Sequence, residues 1–561
     1  MPSRFQFAMS IPALALSLVT DLWGQGAPPV TAETAQRIDA VFATWNNTHS
    51  PGCVLGVSRN GNVVYTRGYG MSNLEYDVAI TPDSIFQVGS IAKQFTAFAI
   101  ALLASDGKLS LDDDIHRYLP ELPEYGEPVT IRQLLAHTAG FPDFGFLLRR
   151  AGWRFADITT EDDVLEILAR HKSLNFRPGS EFLYSNTGYT LLAIIVRRVS
   201  GQSHREFAET RIFAPLGMRD THIQEDHRTI VRRRTSAYEP RPGGGLRINI
   251  PNWDISGATN LLTTANDLLK WEQNLVDGRV GGKALVDAMQ VSGHLNDGSA
   301  TAYGFGLLIE PYRGVRTINH SGGDAGYRAE VVRFLDHDLA IATLCNLGTI
   351  NPRLLNRKVA EIVLGPRVFA SLAPTVPITH AEMEKLVGTY WNATTQDVWR
   401  ILIMDGKLMT GASPDALVAL GDSRFRLGEQ SIELKFSVSM TGSTLEVRGA
   451  PPMLQPATFA RVTAPTYSDA DLQAYAGEYR NDDLAATLTI AVTPGQHLSL
   501  SRRKFEPLTL DAVKLDVFTT RVLGTVTFVR EASGKVIGLT NSDGQTRGVS
   551  FTRVDLPLTR K

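Results

Sequence analysis

The sequence predicts an α+β protein, with one antiparallel sheet flanked by helices and interrupted by a helical subdomain, then two small antiparallel β-barrels of lipocalin-like size. Three observations carry this. Strand-like runs open and close the segment 27–372, and helical patterns fill its middle. After Ala373-Pro374-Thr375-Val376-Pro377 the texture changes to short alternating strands separated by Gly and Asp turns. The tail also repeats itself: Leu386-Val387-Gly388-Thr389-Tyr390 is echoed by Tyr475-Ala476-Gly477-Glu478-Tyr479, and Phe459-Ala460-Arg461-Val462 by Phe551-Thr552-Arg553-Val554. Barrel domains are therefore expected at 373–462 and 463–561.

Taken in order, Thr31 to Thr48 places Ile38, Val41, Phe42 and Trp45 on one helical face. Val54–Arg59 and Val63–Tyr69 read as a hairpin turned by Asn60-Gly61-Asn62. A helix rich in Ala, Phe and Leu runs from Ser90 to Ser105 and is closed by Asp106-Gly107. Thr130-Ile131-Arg132-Gln133 has the form of a capping box. Glu161–His171 and Thr187–Val199 are further helices, and Thr264 caps another. Strands return at Tyr303–Ile309, Thr317–His320, Ala329–Leu335 and Leu339–Leu344.

The 56 basic and 58 acidic side chains nearly cancel, so no long-range field draws this chain to nucleic acid or anionic membrane. No later segment is apolar enough to span a bilayer. At the start, Arg4, the apolar stretch Phe7–Val19 and Gly24-Gln25-Gly26 resemble a signal peptide over 1–26, which predicts a periplasmic or secreted product. The two cysteines, Cys53 and Cys345, form no metal-binding spacing and lie in apolar strand-like runs. Two buried free thiols are the expectation, over a disulfide. The histidines are scattered, so neither a metal nor any other cofactor is expected, and no Gly-x-Ser-x-Gly elbow is present.

Chemistry is carried by three short motifs. Ser90-Ile91-Ala92-Lys93 puts a hydroxyl and an amine on one helix face. A serine needs a base, so this Lys must be neutral, with its pKa lowered by burial or nearby positive charge. The helix start also offers the Ser90 N–H to a developing oxyanion. Tyr184-Ser185-Asn186 adds a phenol able to relay a proton and an amide able to hold a substrate amide. His320-Ser321-Gly322-Gly323 adds a strand end at which backbone can approach substrate closely, with the Gly323 N–H as a second oxyanion donor.

In this order the motifs resemble the serine β-lactamase/DD-peptidase superfamily, in its class C-like branch with D-aminopeptidases, esterases and penicillin-binding proteins. The resemblance covers about residues 30–350 and extends to Leu134 to Gly140, Pro215-Leu216-Gly217-Met218 and Thr264 to Trp271. It implies Ser90 as acylated nucleophile, Lys93 and Tyr184 as the proton-transfer pair, and His320 at the catalytic strand. It further implies Asn186, Ser321, Gly322 and Gly323 as the substrate-binding set, while His137 is assigned a structural role. His320 stands where the commoner Lys-Thr-Gly form has Lys. A neutral imidazole there should weaken recognition of free C-terminal carboxylates, which favours D-amino-acid amides, peptides with free N-termini and esters. The tail resembles the D-aminopeptidase architecture, in which a loop of the last barrel reaches the active site. Leu515 to Thr525 is the expected loop. A slowly deacylating penicillin-binding sensor and a catalytically idle scaffold are the competing readings, and a homodimer is an open expectation.

Overall fold

The computed structural model describes residues 29–554 apart from 412, 414, 429–431, 440–441 and 450–455. The expected leader lies outside the described residues. The chain opens with helix α1 (Ala32–Val41), then strands β1 (Cys53–Arg59) and β2 (Asn62–Tyr69). Four strands return after the helical middle: β3 (Leu308–Tyr312), β4 (Val315–Asp324), β5 (Tyr327–Phe334) and β6 (Leu339–Cys345). They form one antiparallel sheet in the order β3-β4-β5-β6-β1-β2, built from both ends of the segment.

Both faces of this sheet are covered, so the central strands β1, β5 and β6 are buried almost throughout. In β6, Leu339 and Ile341 join the core that holds Ile38 of α1 and Phe42 just after it, while Ala340, Ala342 and Leu344 face the opposite core. That second core includes α2 (Ala92–Ser105), α3 (Asn186–Ser200) and α4 (Ala265–Asp277). The Thr130 capping box forms in full, and the Thr264 side chain caps α4 at Asp267 N.

Two expectations are corrected here. Cys53 and Cys345 are disulfide-bonded, because β1 and β6 are neighbours and these residues stand opposite each other with Cα atoms 4.0 Å apart. The run Tyr303–Ile309 is mostly a turn: Gly304 N–H donates to Leu307 O (2.8 Å), and the strand starts only at Leu308.

The tail forms two eight-stranded antiparallel sheets. The second, over 477–554, is a closed barrel. The ends of the first, over 388–462, meet through a bridge between Met409 and Ala416. Each follows a short helix with a formed capping box, His380–Leu386 and Asp469–Gln473.

Candidate active site

Ser90 lies in a single 3-10 turn, Gly89–Ile91, that leads into α2. This turn packs tightly on β4. A side chain at Gly322 would place its Cβ 1.8 Å from Val88 O, and one at Gly89 would approach Gly323 N to 2.7 Å. Gly89 also holds φ +52, so both positions require glycine. The result is that the Ser90 and Gly323 backbones face each other across the contact. Gly323 is exposed while Gly322 is buried.

Lys93, one helical turn on, is completely buried. Its Nζ reaches Ser90 Oγ (3.0 Å), Asn186 Oδ1 (2.8 Å) and Ala258 O (2.9 Å). All three partners are neutral. Burial lowers the Lys93 pKa to about 7, against the weaker opposing pull of Asp143 and Asp324. The Tyr184 ring lies over the same amine, 4.8 Å from Nζ to the ring centre. Burial of the Tyr184 hydroxyl raises its pKa well above the ordinary phenol range, and a hydrogen bond with Ser90 partly offsets this. The fold thus brings Ser90, Lys93, Tyr184 and Asn186 into one cluster.

His320 is 2% exposed, and both ring nitrogens are occupied. Nδ1 lies 2.7 Å from Ser321 O, an acceptor only, so Nδ1 carries the proton and donates. Nε2 then accepts the Tyr303 hydroxyl at 3.0 Å. Burial and the nearby Lys93 lower the His320 pKa to about 3. The ring is therefore neutral, as the sequence led us to expect, and more firmly so than an unperturbed imidazole. His137 takes up the structural position expected of it: Nδ1 accepts Ser185 N–H (3.2 Å), and the ring packs on Tyr184, Tyr189 and Tyr303.

Three residues of the site were not anticipated. Asp143 caps helix 144–150 and also accepts Asn186 N–H (2.8 Å), which fixes the start of α3. An Asp immediately before an apolar run is an N-cap signal, so its capping role was legible. Tyr303 holds His320, and nothing local in the sequence marks it. Gln545, from the last hairpin of the second barrel, donates to Tyr184 O (2.8 Å), and its own carbonyl accepts from Asn175 Nδ2 (3.1 Å).

The loop that reaches the site is therefore the 541–547 turn and not Leu515 to Thr525. The latter lies behind it, where Leu523 O and Thr525 O accept the Asn541 amide (2.8 and 2.9 Å). The turn docks by burying Arg150, whose Nε meets Asn541 Oδ1 (2.5 Å) and whose Nη2 meets Asp543 Oδ2 (2.8 Å).

Known proteins resemble this chain over most of its length. The Beta-lactamase family profile matches residues 34–363. A penicillin-binding protein of Bacillus subtilis (strain 168) is 27% identical over 438 residues, covering 72% of this chain and 94% of that protein. A D-aminopeptidase of Brucella melitensis biotype 2 is 24% identical over 533 residues, covering 92% and 98%. The structure of the octameric penicillin-binding protein homologue from Pyrococcus abyssi superposes with a TM-score of 0.53 at 22% identity, over 85% of this chain and 99% of that one. At that identity the likeness is one of fold.

Proposed function

This chain belongs to the Beta-lactamase family and is a serine hydrolase, and on that premise we propose that Ser90 forms an acyl-enzyme with amide, peptide or ester substrates in a D-aminopeptidase-like or esterase-like reaction. Neutral Lys93 takes the Ser90 proton as Oγ attacks the carbonyl carbon. The N–H groups of Ser90 and Gly323 stabilise the oxyanion, and Tyr184 passes a proton to the leaving group. Water then attacks the acyl carbon by the reverse relay and frees the acid. Asn186 holds Lys93 and is placed to meet the substrate's amide. The observation that carries this reading is a fully buried amine 3.0 Å from a seryl oxygen, with no carboxylate within ion-pair distance among the described residues.

Neutral His320 supports a preference against free C-terminal carboxylates, and so against efficient penicillin turnover. The 24% identity to a D-aminopeptidase over nearly the whole chain supports the same direction. Export through the 1–26 leader is proposed with it, and the buried Cys53–Cys345 disulfide fits an oxidising compartment.

The test compares a D-alanine amide, a short-chain aryl ester and nitrocefin across neutral pH. Ionised Lys93 cannot accept a proton, so kcat/KM rises with pH through about 7 and levels off above it. Ser90→Ala lowers turnover by at least about a thousandfold. Undiminished turnover in Ser90→Ala, or efficient hydrolysis of nitrocefin alone, defeats the proposal.

A further inference from the structure

We propose that a groove beside Gly323 receives the acyl part of the substrate and that Arg328 in it selects acyl groups ending in a carboxylate. This rests on Ser90 being the acylated nucleophile.

Direction follows from the two ends of the motif on β4. The Tyr184 ring packs near His320, with ring centres 6.2 Å apart, so the leaving group that takes its proton departs over the His320 end. The acyl portion is then directed the other way, past exposed Gly323. A groove of about 900 Å³ opens there, lined by Gly323, Asp324 and Arg328, by Phe155, and by Phe505 of the second barrel. Arg328 stacks directly on the strand: a Cβ at Gly323 would lie 3.5 Å from its Cδ and Nη1.

The other charged groups in the groove already have close hydrogen-bond or ion-pair partners. Asp324 accepts the Thr259 hydroxyl (2.5 Å) and the Gln87 amide (3.2 Å). Glu239 is held by Arg247 (2.5 Å) and Asn249 (2.7 Å), and Arg154 pairs with Asp157 (2.9 Å). Arg328 differs. Its Nη1 donates to Ala325 O (2.9 Å) and Tyr327 O (2.6 Å), which fixes the fork. Asp324 and Glu239 pull on it through space, but among the described residues no carboxylate lies within ion-pair distance of it, and its Nε and Nη2 make no hydrogen bond. A half-buried, oriented guanidinium with two open donors suits a carboxylate. The aromatic rings of Phe155 and Phe505 suit the methylene chain leading to it. Arg328 thus supplies, on the acyl side, the cation that neutral His320 withholds on the leaving-group side.

The experiment measures kcat/KM for p-nitrophenyl hydrogen glutarate and p-nitrophenyl valerate, esters of equal chain length. Attack by Ser90 releases p-nitrophenolate, and water then frees the acid. The wild type is expected to prefer the glutarate, and added salt should narrow that preference. Arg328→Gln should lower the glutarate-to-valerate ratio about tenfold to a hundredfold, with Arg328→Lys keeping part of it. An unchanged ratio in Arg328→Gln, or a wild-type preference for valerate, overturns the proposal. Should Arg328→Gln not fold, inhibition of the wild type decides. Free glutarate must inhibit valerate-ester hydrolysis more strongly than free valerate, and equal inhibition overturns the proposal. Valerate-ester hydrolysis that persists in Ser90→Ala would instead mark failure of the nucleophile assignment.

Discussion

In the first barrel Tyr390 donates its hydroxyl to Leu386 O (2.9 Å), and in the second Tyr479 does the same to Tyr475 O (2.7 Å). Arg461 reaches back to Val387 O (2.6 Å), and Arg553 to Ala476 O (2.6 Å). The internal repeat is thus one structural device used twice: a buried phenol ties the entering strand to the short helix before it, and a guanidinium from the last strand ties onto the junction between them. Beyond that device the copies part. Asn541, Asp543 and Gln545 of the second barrel fasten onto Arg150, Asn175 and Tyr184. The first barrel stands behind the second, where Gln396 accepts the hydroxyls of Thr525 (2.6 Å) and Ser542 (2.8 Å). Equal scaffolds therefore carry unequal roles: the second barrel alone reaches the site with its 541–547 turn, and its Arg502 and Lys504 also meet Arg149 O (3.2 Å) and Asp157 (2.9 Å).

Removing the docking cation should break this asymmetry most severely. Arg150→Ala strands Asp543 and Asn541 at a site where the Arg150 side chain has no solvent exposure. A loss of about 3–5 kcal/mol in denaturant unfolding is expected, together with lower turnover. Unchanged stability would mean that the barrel is not held at this pair. A narrower cut is Gln545→Ala, which removes only the support for Tyr184 O. It should lower kcat/KM about threefold to tenfold with little change in Tm, consistent with the loss of one hydrogen bond. A fall in Tm with intact activity would make Gln545 a docking residue instead. The smallest effect sharpens the likeness of the two copies. Tyr390→Phe and Tyr479→Phe should each cost about 1 kcal/mol, with activity retained in both. Clearly unequal losses would deny that the repeat is one device.

Much of the site was legible because its parts are local. Ser90 and Lys93 meet through helical periodicity, and Gly322 and Gly323 declare themselves by residue type. Tyr184, Asn186 and His320 were legible through motif order, although their convergence on Ser90 is a property of the sheet and of α3. Gln545 was not legible, since it lies 361 residues from the tyrosine it supports and its turn looks like any hairpin end. Nor did the sequence reveal the cysteine pairing. Apolar strand-like surroundings suit a buried thiol and a buried disulfide equally, and only the β1–β6 register puts the two sulfurs together.

By itself, then, the sequence determined the α+β class, the repeated barrels and the residue types and order of the three short motifs. These follow from periodicity, turn residues and short spacings, which act within a few residues. Tertiary structure alone decided that Lys93 is buried among neutral partners, that His320 has both nitrogens occupied, that Gln545 supports Tyr184 and that Arg328 lies against Gly323. Desolvation and hydrogen-bond partnership depend on what packs around a group, and here those neighbours come from distant parts of the chain.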